Sequence, residues 1–285
     1  SISTIGHDAQ EYMFDADTIG LYFYSARIPD TLFQLVITGA LSSAFIPIFS
    51  DFISHGKEKE GHRFASNLLC LWLAAFAIFS LLLVIFADFF AYLIAPGLPP
   101  EQIALIASLM RIIIIGQMLF IIGSFLSVVL QSYSHFFVPG IALASYNLGI
   151  IIGILVLSPY VGIYAPVYGT ILGAFLYIII QLPYMRSVKF SFTPSFSLKG
   201  KAIKEVFHLM WPRTISLSIY QGGLLITGVL ISFISGKAGL YAVFDWAMMI
   251  SFTAVNLFGN SISQAAFPIL SRQRNNFTEF KATFL

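Results

Sequence analysis

Two opposite charges flank a proline in Ser25-Ala26-Arg27-Ile28-Pro29-Asp30. Three positions apart, Arg27 and Asp30 share one helical turn and can pair. A guanidinium facing a water-filled cavity can also grip a phosphate, because its planar fork matches two phosphate oxygens at once. Arg111 is a second isolated cation. Asp245, in Val243-Phe244-Asp245-Trp246, is an isolated carboxylate able to coordinate a coupling ion or to pair with an arginine. Each has a plainer reading as well. Arg27 and Asp30 could neutralise one another near an interface, Arg111 could snorkel to water, and Asp245 could sit at a helix start, where a carboxylate suits the dipole.

The surroundings give these charges their weight. Of 285 residues, 58% are apolar, only 10% are charged and 29 are Phe. An ordinary soluble domain is roughly 25% charged, and the mean hydropathy here is +0.87. The solvent of this chain is lipid, where an ionisable side chain at mid-depth costs at least about 2.5–3.5 kcal/mol. Such a composition excludes a soluble enzyme, and a net charge of +2 is too small to argue for nucleic acid as a partner. The single Cys70 excludes a disulfide framework and a Cys-based metal cluster. There is no Gly-rich phosphate loop, no paired carboxylates, no HExxH and no CxxC. The chain therefore reads as a transporter and not an enzyme, with no catalytic residue, no metal ligand and no cofactor assigned.

The elements that must position the charges are membrane helices. No Asp, Glu, Lys or Arg occurs in 64–87, 112–185, 214–236 or 246–271. The second run is far too long for one crossing of about 20 residues. It breaks at Gln131-Ser132-Tyr133-Ser134-His135 and again at Ser158-Pro159-Tyr160-Val161-Gly162. The spans are 17–53, 64–94, 101–131, 137–158, 162–184, 203–234 and 239–271, seven in all, giving an all-α polytopic membrane protein. Pro29 and Pro47 are expected to interrupt the first span and Pro212 the sixth. Ten-residue alternating segments, the mark of a transmembrane barrel, are absent from the sequence.

Eleven of the 15 Lys and Arg fall on alternate connections: Lys57, Lys59 and Arg63; Arg186, Lys189, Lys199, Lys201 and Lys204; Arg272, Arg274 and Lys281. Basic connections face the cytoplasm, so the first span starts outside, and Asp8, Glu11, Asp15 and Asp17 lie at the outer face. Segment 187–202 reads as a cytoplasmic linker between bundles 1–186 and 203–285. Gln34, Asn147, Gln181, Gln221, Asn256 and Asn260 lie within spans, where amides bond across helices. Gly149 and Gly153, with Gly169 and Gly173, have the small-residue spacing that permits close helix contact.

The run Ala26-Arg27-Ile28-Pro29-Asp30-Thr31-Leu32-Phe33, followed by Gly39-Ala40-Leu41-Ser42-Ser43-Ala44-Phe45-Ile46-Pro47-Ile48-Phe49, resembles the second helix of the MviN/MurJ family of lipid II flippases. Phe136-Phe137-Val138-Pro139 with Asn147 is similar to the segment opening the family's fifth helix, and Gln181-Leu182-Pro183 to the end of its sixth. Met210-Trp211-Pro212 with Gln221 resembles the start of the seventh, and Ala265-Ala266-Phe267-Pro268-Ile269-Leu270-Ser271 the end of the eighth. The resemblance implies a fourteen-helix, two-lobe fold of the multidrug/oligosaccharidyl-lipid/polysaccharide exporter (MOP) superfamily. This chain would hold helices two to eight, as a fragment of a longer protein in the bacterial cytoplasmic membrane.

The implied activity is moving lipid II, the undecaprenyl-diphosphate-linked peptidoglycan precursor, from the inner to the outer leaflet by alternating access. The membrane potential or a coupling cation would supply the drive, and the cell-wall synthesis machinery would be a partner. Arg27, Asp30, Arg111, Asp17 and Asp245 are the substrate-binding candidates, and Pro29, Gly39, Pro47, Asn147, Pro212 and Gln221 the packing residues. The sequence departs from the family pattern at Gly20, where an Asp is common (Asp17 lies three earlier), and at Phe33, Thr38 and Met249, where the family carries charges. Exporters of another polyprenyl-linked glycan, ion-coupled small-molecule exporters of the same superfamily, and a non-transporting precursor-binding scaffold are the other readings.

Overall fold

The computed structural model describes residues 14–35 and 44–260, and among them every regular element is helical. Gly39, Asp8, Glu11, the 265–271 motif and the basic Arg272, Arg274 and Lys281 lie outside the described residues. In chain order the helices are α1 (Ala16–Phe33), α2 (Ile46–Ser54), α3 (Glu58–Ile85), α4 (Ala87–Ile94), α5 (Pro100–Ser132), α6 (Phe137–Val161), α7 (Tyr164–Ser187), α8 (Lys201–Ser235) and α9 (Gly239–Ala254), which passes into a π-helical stretch, Val255–Asn260. Five of them, α3, α5, α6, α7 and α8, are long and apolar enough to cross a membrane. The first and seventh expected spans run into residues outside the description.

Lipid forces every backbone group to be satisfied within its segment, which is why apolar runs become helices and turns fall where polar residues cluster. Asp15 starts α1 by accepting the Thr18 amide at 2.8 Å. The Thr18 hydrogen bonds hold this carboxyl below the ordinary aspartate range. The α5–α6 turn carries Ser134 at φ 63°, and α6 ends on Gly162 at φ 55°, the conformation a glycine adopts without steric cost.

The expected proline breaks are corrected. Helices α1 and α8 run unbroken through Pro29 and Pro212. The turn instead widens to π-helical geometry at 34–35 and 44–45. Pro47 lies in the first turn of α2, where its missing N–H would have had no helical partner anyway. The second span also differs from its expected form: it is divided at Phe86, between α3 and α4.

The tightest packing joins α6 to α7. A Cβ on Gly149 would come 2.4 Å from the Gly173 Cα, and one on Gly153 2.3 Å from the Gly169 Cα. Four glycines thus let two backbones touch. Helix α5 runs through the middle of the bundle, buried along one side against α7 through Leu109, Ile113 and Val167. The C-terminal part of α5 meets α2 and α3 in an aromatic cluster of Phe45, Phe49, Phe64 and Phe125.

Candidate substrate-binding site within the membrane

Residues up to Tyr241 form one compact unit and those from Ala242 a second. Within the first unit, α1 carries the candidate charges. Arg27 stands eleven residues beyond the helix start at Ala16. At 1.5 Å per residue that is about 16 Å along the helix axis. Arg27 Nε donates to the Tyr241 hydroxyl at 2.6 Å, and its guanidinium lies 5.7 Å from the centre of the same ring. That ring stacks on Tyr24, with centroids 3.9 Å apart and planes 16° off parallel. Tyr24 in turn donates to the Gly228 carbonyl of α8 at 2.8 Å. Tyr24 and Arg27, one turn apart, present one face of α1 to α8 and to the start of α9.

Asp30 addresses a different neighbour. Its carboxylate accepts the Gln117 side-chain amide of α5, and one turn on, Phe33 packs edge-on against Phe120 of the same helix. Both Arg27 and Asp30 are half-buried. The two charges flanking Pro29 are therefore each held by a different helix.

Asp17 Oδ1 accepts the Gly239 amide at 2.7 Å, so its carboxylate serves the start of α9. Asp245 lies more than one turn inside α9, which removes it from the helix-start role and leaves that role to Asp17. It belongs to the second unit and is half-buried. Arg111 bonds the Asp88 carboxylate at 2.6 Å and the Val84 carbonyl at 3.3 Å. The break at Phe86 leaves the last α3 carbonyls without helical partners, and Arg111 of α5 takes one of them. Asp88, though largely exposed, is the ion-pair partner of Arg111.

Among the packing residues, Gln221 is 2% exposed and donates to Gln34 Oε1 at 2.6 Å, joining α8 to the end of α1. Asn147 is a correction. It lies exposed, and its amide donates to the Leu143 carbonyl of its own helix at 3.3 Å. The buried amide that does bond across helices is Gln181, which accepts from Ser127 at 2.8 Å and donates to the Gly123 carbonyl at 3.1 Å.

Sequence reasoning missed Tyr24, Tyr241 and Gln117. The Tyr24–Arg27 spacing was a usable signal for the first. Nothing local marks the other two, because their partners lie 214 and 87 positions away in the chain. Among the described residues no three His, Cys, Asp or Glu side chains gather at metal-binding range.

Residues 10–283 match the family described as lipid II flippase MurJ. A probable lipid II flippase MurJ of Buchnera aphidicola subsp. Acyrthosiphon pisum is 27% identical over 263 residues, covering 90% of this chain and 50% of the relative. The lipid II flippase MurJ of Burkholderia cenocepacia is 28% identical over 219 residues, 72% of this chain and 41% of the relative. A solved lipid II flippase MurJ in an inward closed conformation superposes with a TM-score of 0.73 at 22% identity, over 93% of this chain and 54% of that one. An inward-facing MATE-family multidrug resistance transporter of the MOP superfamily gives a TM-score of 0.68 at 15% identity, over 94% of this chain and 64% of that one. The two structures show the fold. The chain spans about half the length of the curated relatives it matches.

Proposed function

This chain belongs to the lipid II flippase MurJ family, and we propose that it supplies about half of a flippase carrying lipid II from the inner to the outer leaflet of the bacterial cytoplasmic membrane. Arg27 carries the reading. It is a half-buried cation at the position where the resemblance keeps a basic residue, and its Nε donates to the Tyr241 phenol. A guanidinium at this position suits a diphosphate, whose oxygens match its bidentate fork. The lipid tail stays in the bilayer throughout, and no covalent step is required of the protein.

The outer half supports a state closed to the outside. Asp17–Gly239, Tyr24–Gly228 and Gly97–Ser232 all tie α1 or the α4–α5 loop to α8 and the start of α9. Rocking of bundle 1–186 against 203–285 about the linker 187–202 would exchange the closed side. A membrane potential or a coupling cation is the proposed drive, at about 2.3 kcal/mol per charge per 100 mV.

The test is Arg27→Ala in the full-length protein, at unchanged protein level, with lipid II exposure on the outer surface as the readout. Loss of exposure is the expected result, with partial recovery in Arg27→Lys. Full exposure in the Ala variant removes Arg27 as a ligand. Unchanged drug efflux on depletion of the protein separates the flippase from a small-molecule exporter.

A further inference from the structure

Helix α3 begins with a charged stretch, Glu58 to Arg63, on the cytoplasmic side of its apolar run from Phe64. At this rim three polar side chains, His62, Ser66 and Asn67, are buried at 6%, 0% and 7% exposure. All three hydrogen-bond to the main chain of segment 191–197, which follows α7 and leads into α8. The Ser191 amide donates to His62 Nδ1 at 3.3 Å. The Thr193 amide donates to Ser66 Oγ at 3.0 Å. Asn67 closes a two-point clasp on Ser197, accepting its amide at 2.8 Å and donating to its carbonyl at 2.6 Å.

The side chains of 191–197 themselves are exposed. The segment is thus held by its backbone, and the specificity lies in α3. Buried polar groups without partners are costly, so these three residues and the segment satisfy one another.

His62 is the member whose bond depends on a proton. Accepting at Nδ1 requires the neutral ring with its hydrogen on Nε2, where Tyr133 of the α5–α6 turn lies 2.9 Å away. A proton at Nδ1 would set N–H against N–H and break the contact with Ser191. The ring is sandwiched by Phe190, just before the segment, and Phe49 of α2, with centroids at 4.8 and 6.4 Å. The charged groups around it are Glu58, Lys59, Glu60 and Arg63 on its own helix and Lys189 between α7 and the segment, which line a cavity of about 490 Å³ with it.

We propose that His62, Ser66 and Asn67 form a proton-released clasp that fixes the linker 191–197 to α3 when His62 is neutral and frees it when His62 takes a proton. The clasp does not depend on what the protein carries.

Burial pushes the imidazole toward its neutral form, partly offset by the attraction of Glu58. The clasped state therefore binds a proton less readily than the released one. The clasp is at full strength above the ordinary imidazole range, about pH 6.5, and weakens as pH falls through the lower value set by burial.

The experiment places a spin label at position 195 (Ser195→Cys, with Cys70→Ala) in the full-length protein in lipid nanodiscs and reads its mobility at pH 7.5 and 5.0. The label is expected to be restrained at pH 7.5 and reversibly mobile at pH 5.0. Each unit by which clasping depresses the ring's pKa gives roughly a tenfold change in the release equilibrium. In His62→Gln the carbonyl accepts the Ser191 amide without titrating, so the label should stay restrained at both values. In Asn67→Leu, or in Ser66→Ala should the former fold poorly, it should be mobile at both. A control label at position 160 should show no change with pH. A pH response that survives His62→Gln, or a label equally mobile at both values in the parent, overturns the proposal.

Discussion

Asp17 Oδ1 accepts the backbone N–H of Gly239 at 2.7 Å, joining the first turn of α1 to the first turn of α9 across 222 positions of sequence. Removing a carboxylate from a helix start costs about 1 kcal/mol. Asp17→Ala is expected to lower thermal stability by that order in detergent. Asp17→Asn keeps an acceptor oxygen and should recover most of it. Lipid II exposure in the Asn variant then separates the two roles: normal transport makes Asp17 a structural cap, and lost transport with restored stability makes its charge part of the substrate path.

Gly149 and Gly173 meet backbone to backbone, and a methyl at either has nowhere to go. Overpacking of this kind costs about 1–3 kcal/mol. Gly149→Ala should therefore destabilise the α6–α7 pair by that amount in unfolding titrations. Gly140→Ala on the same helix has open space around its Cβ and should be neutral or slightly stabilising. Equal stability of the two variants would show that the helices can separate without loss.

What was legible in the sequence follows from the demands of lipid. Charge-free runs and the turns near 131–135 and 158–162 reflect desolvation costs that no tertiary contact can override. The glycines of α6 and α7 were legible for the same reason, since small residues at helical spacing serve close approach. What was not legible is which helix neighbours which. The Arg27–Tyr241 and Asp30–Gln117 contacts join residues with no local sign of one another. Asn147 shows the reverse. Its amide suggests interhelical bonding, yet α6 turns that face outward, and the side chain takes the nearest carbonyl of its own helix. Pro29 and Pro212 misled because an embedded helix can lose one N–H bond and continue.

Arg111 and Asp88 form an ion pair that is 36% and 70% exposed at the side chains. Exposed pairs contribute about 0–1 kcal/mol. Asp88→Ala should therefore change stability little, while Arg111→Ala also strands the Val84 carbonyl and should cost somewhat more. Neither is expected to reduce lipid II exposure once protein level is matched. A transport loss in Arg111→Ala that Asp88→Ala does not share would return Arg111 to the substrate path.

Gln181 is fully buried and uses both ends of its amide. Nε2 donates to the Gly123 and Tyr177 carbonyls at 3.1 and 2.7 Å, and Oε1 accepts from Ser127 at 2.8 Å. In lipid an interhelical hydrogen bond averages about 0.6 kcal/mol, because the unfolded helices also find partners. Gln181→Leu should thus cost about 1–2 kcal/mol, counting the polar groups left behind. Gln181→Glu is expected to be worse, since an ionised carboxylate would face two carbonyl oxygens that now accept from an amide. Unfolding titrations at neutral pH should rank the parent above Leu and Leu above Glu. A Glu variant as stable as Leu would mean that the side chain leaves the α5–α7 interface instead of bonding there, and the buried geometry around Ser127 would have to be redrawn.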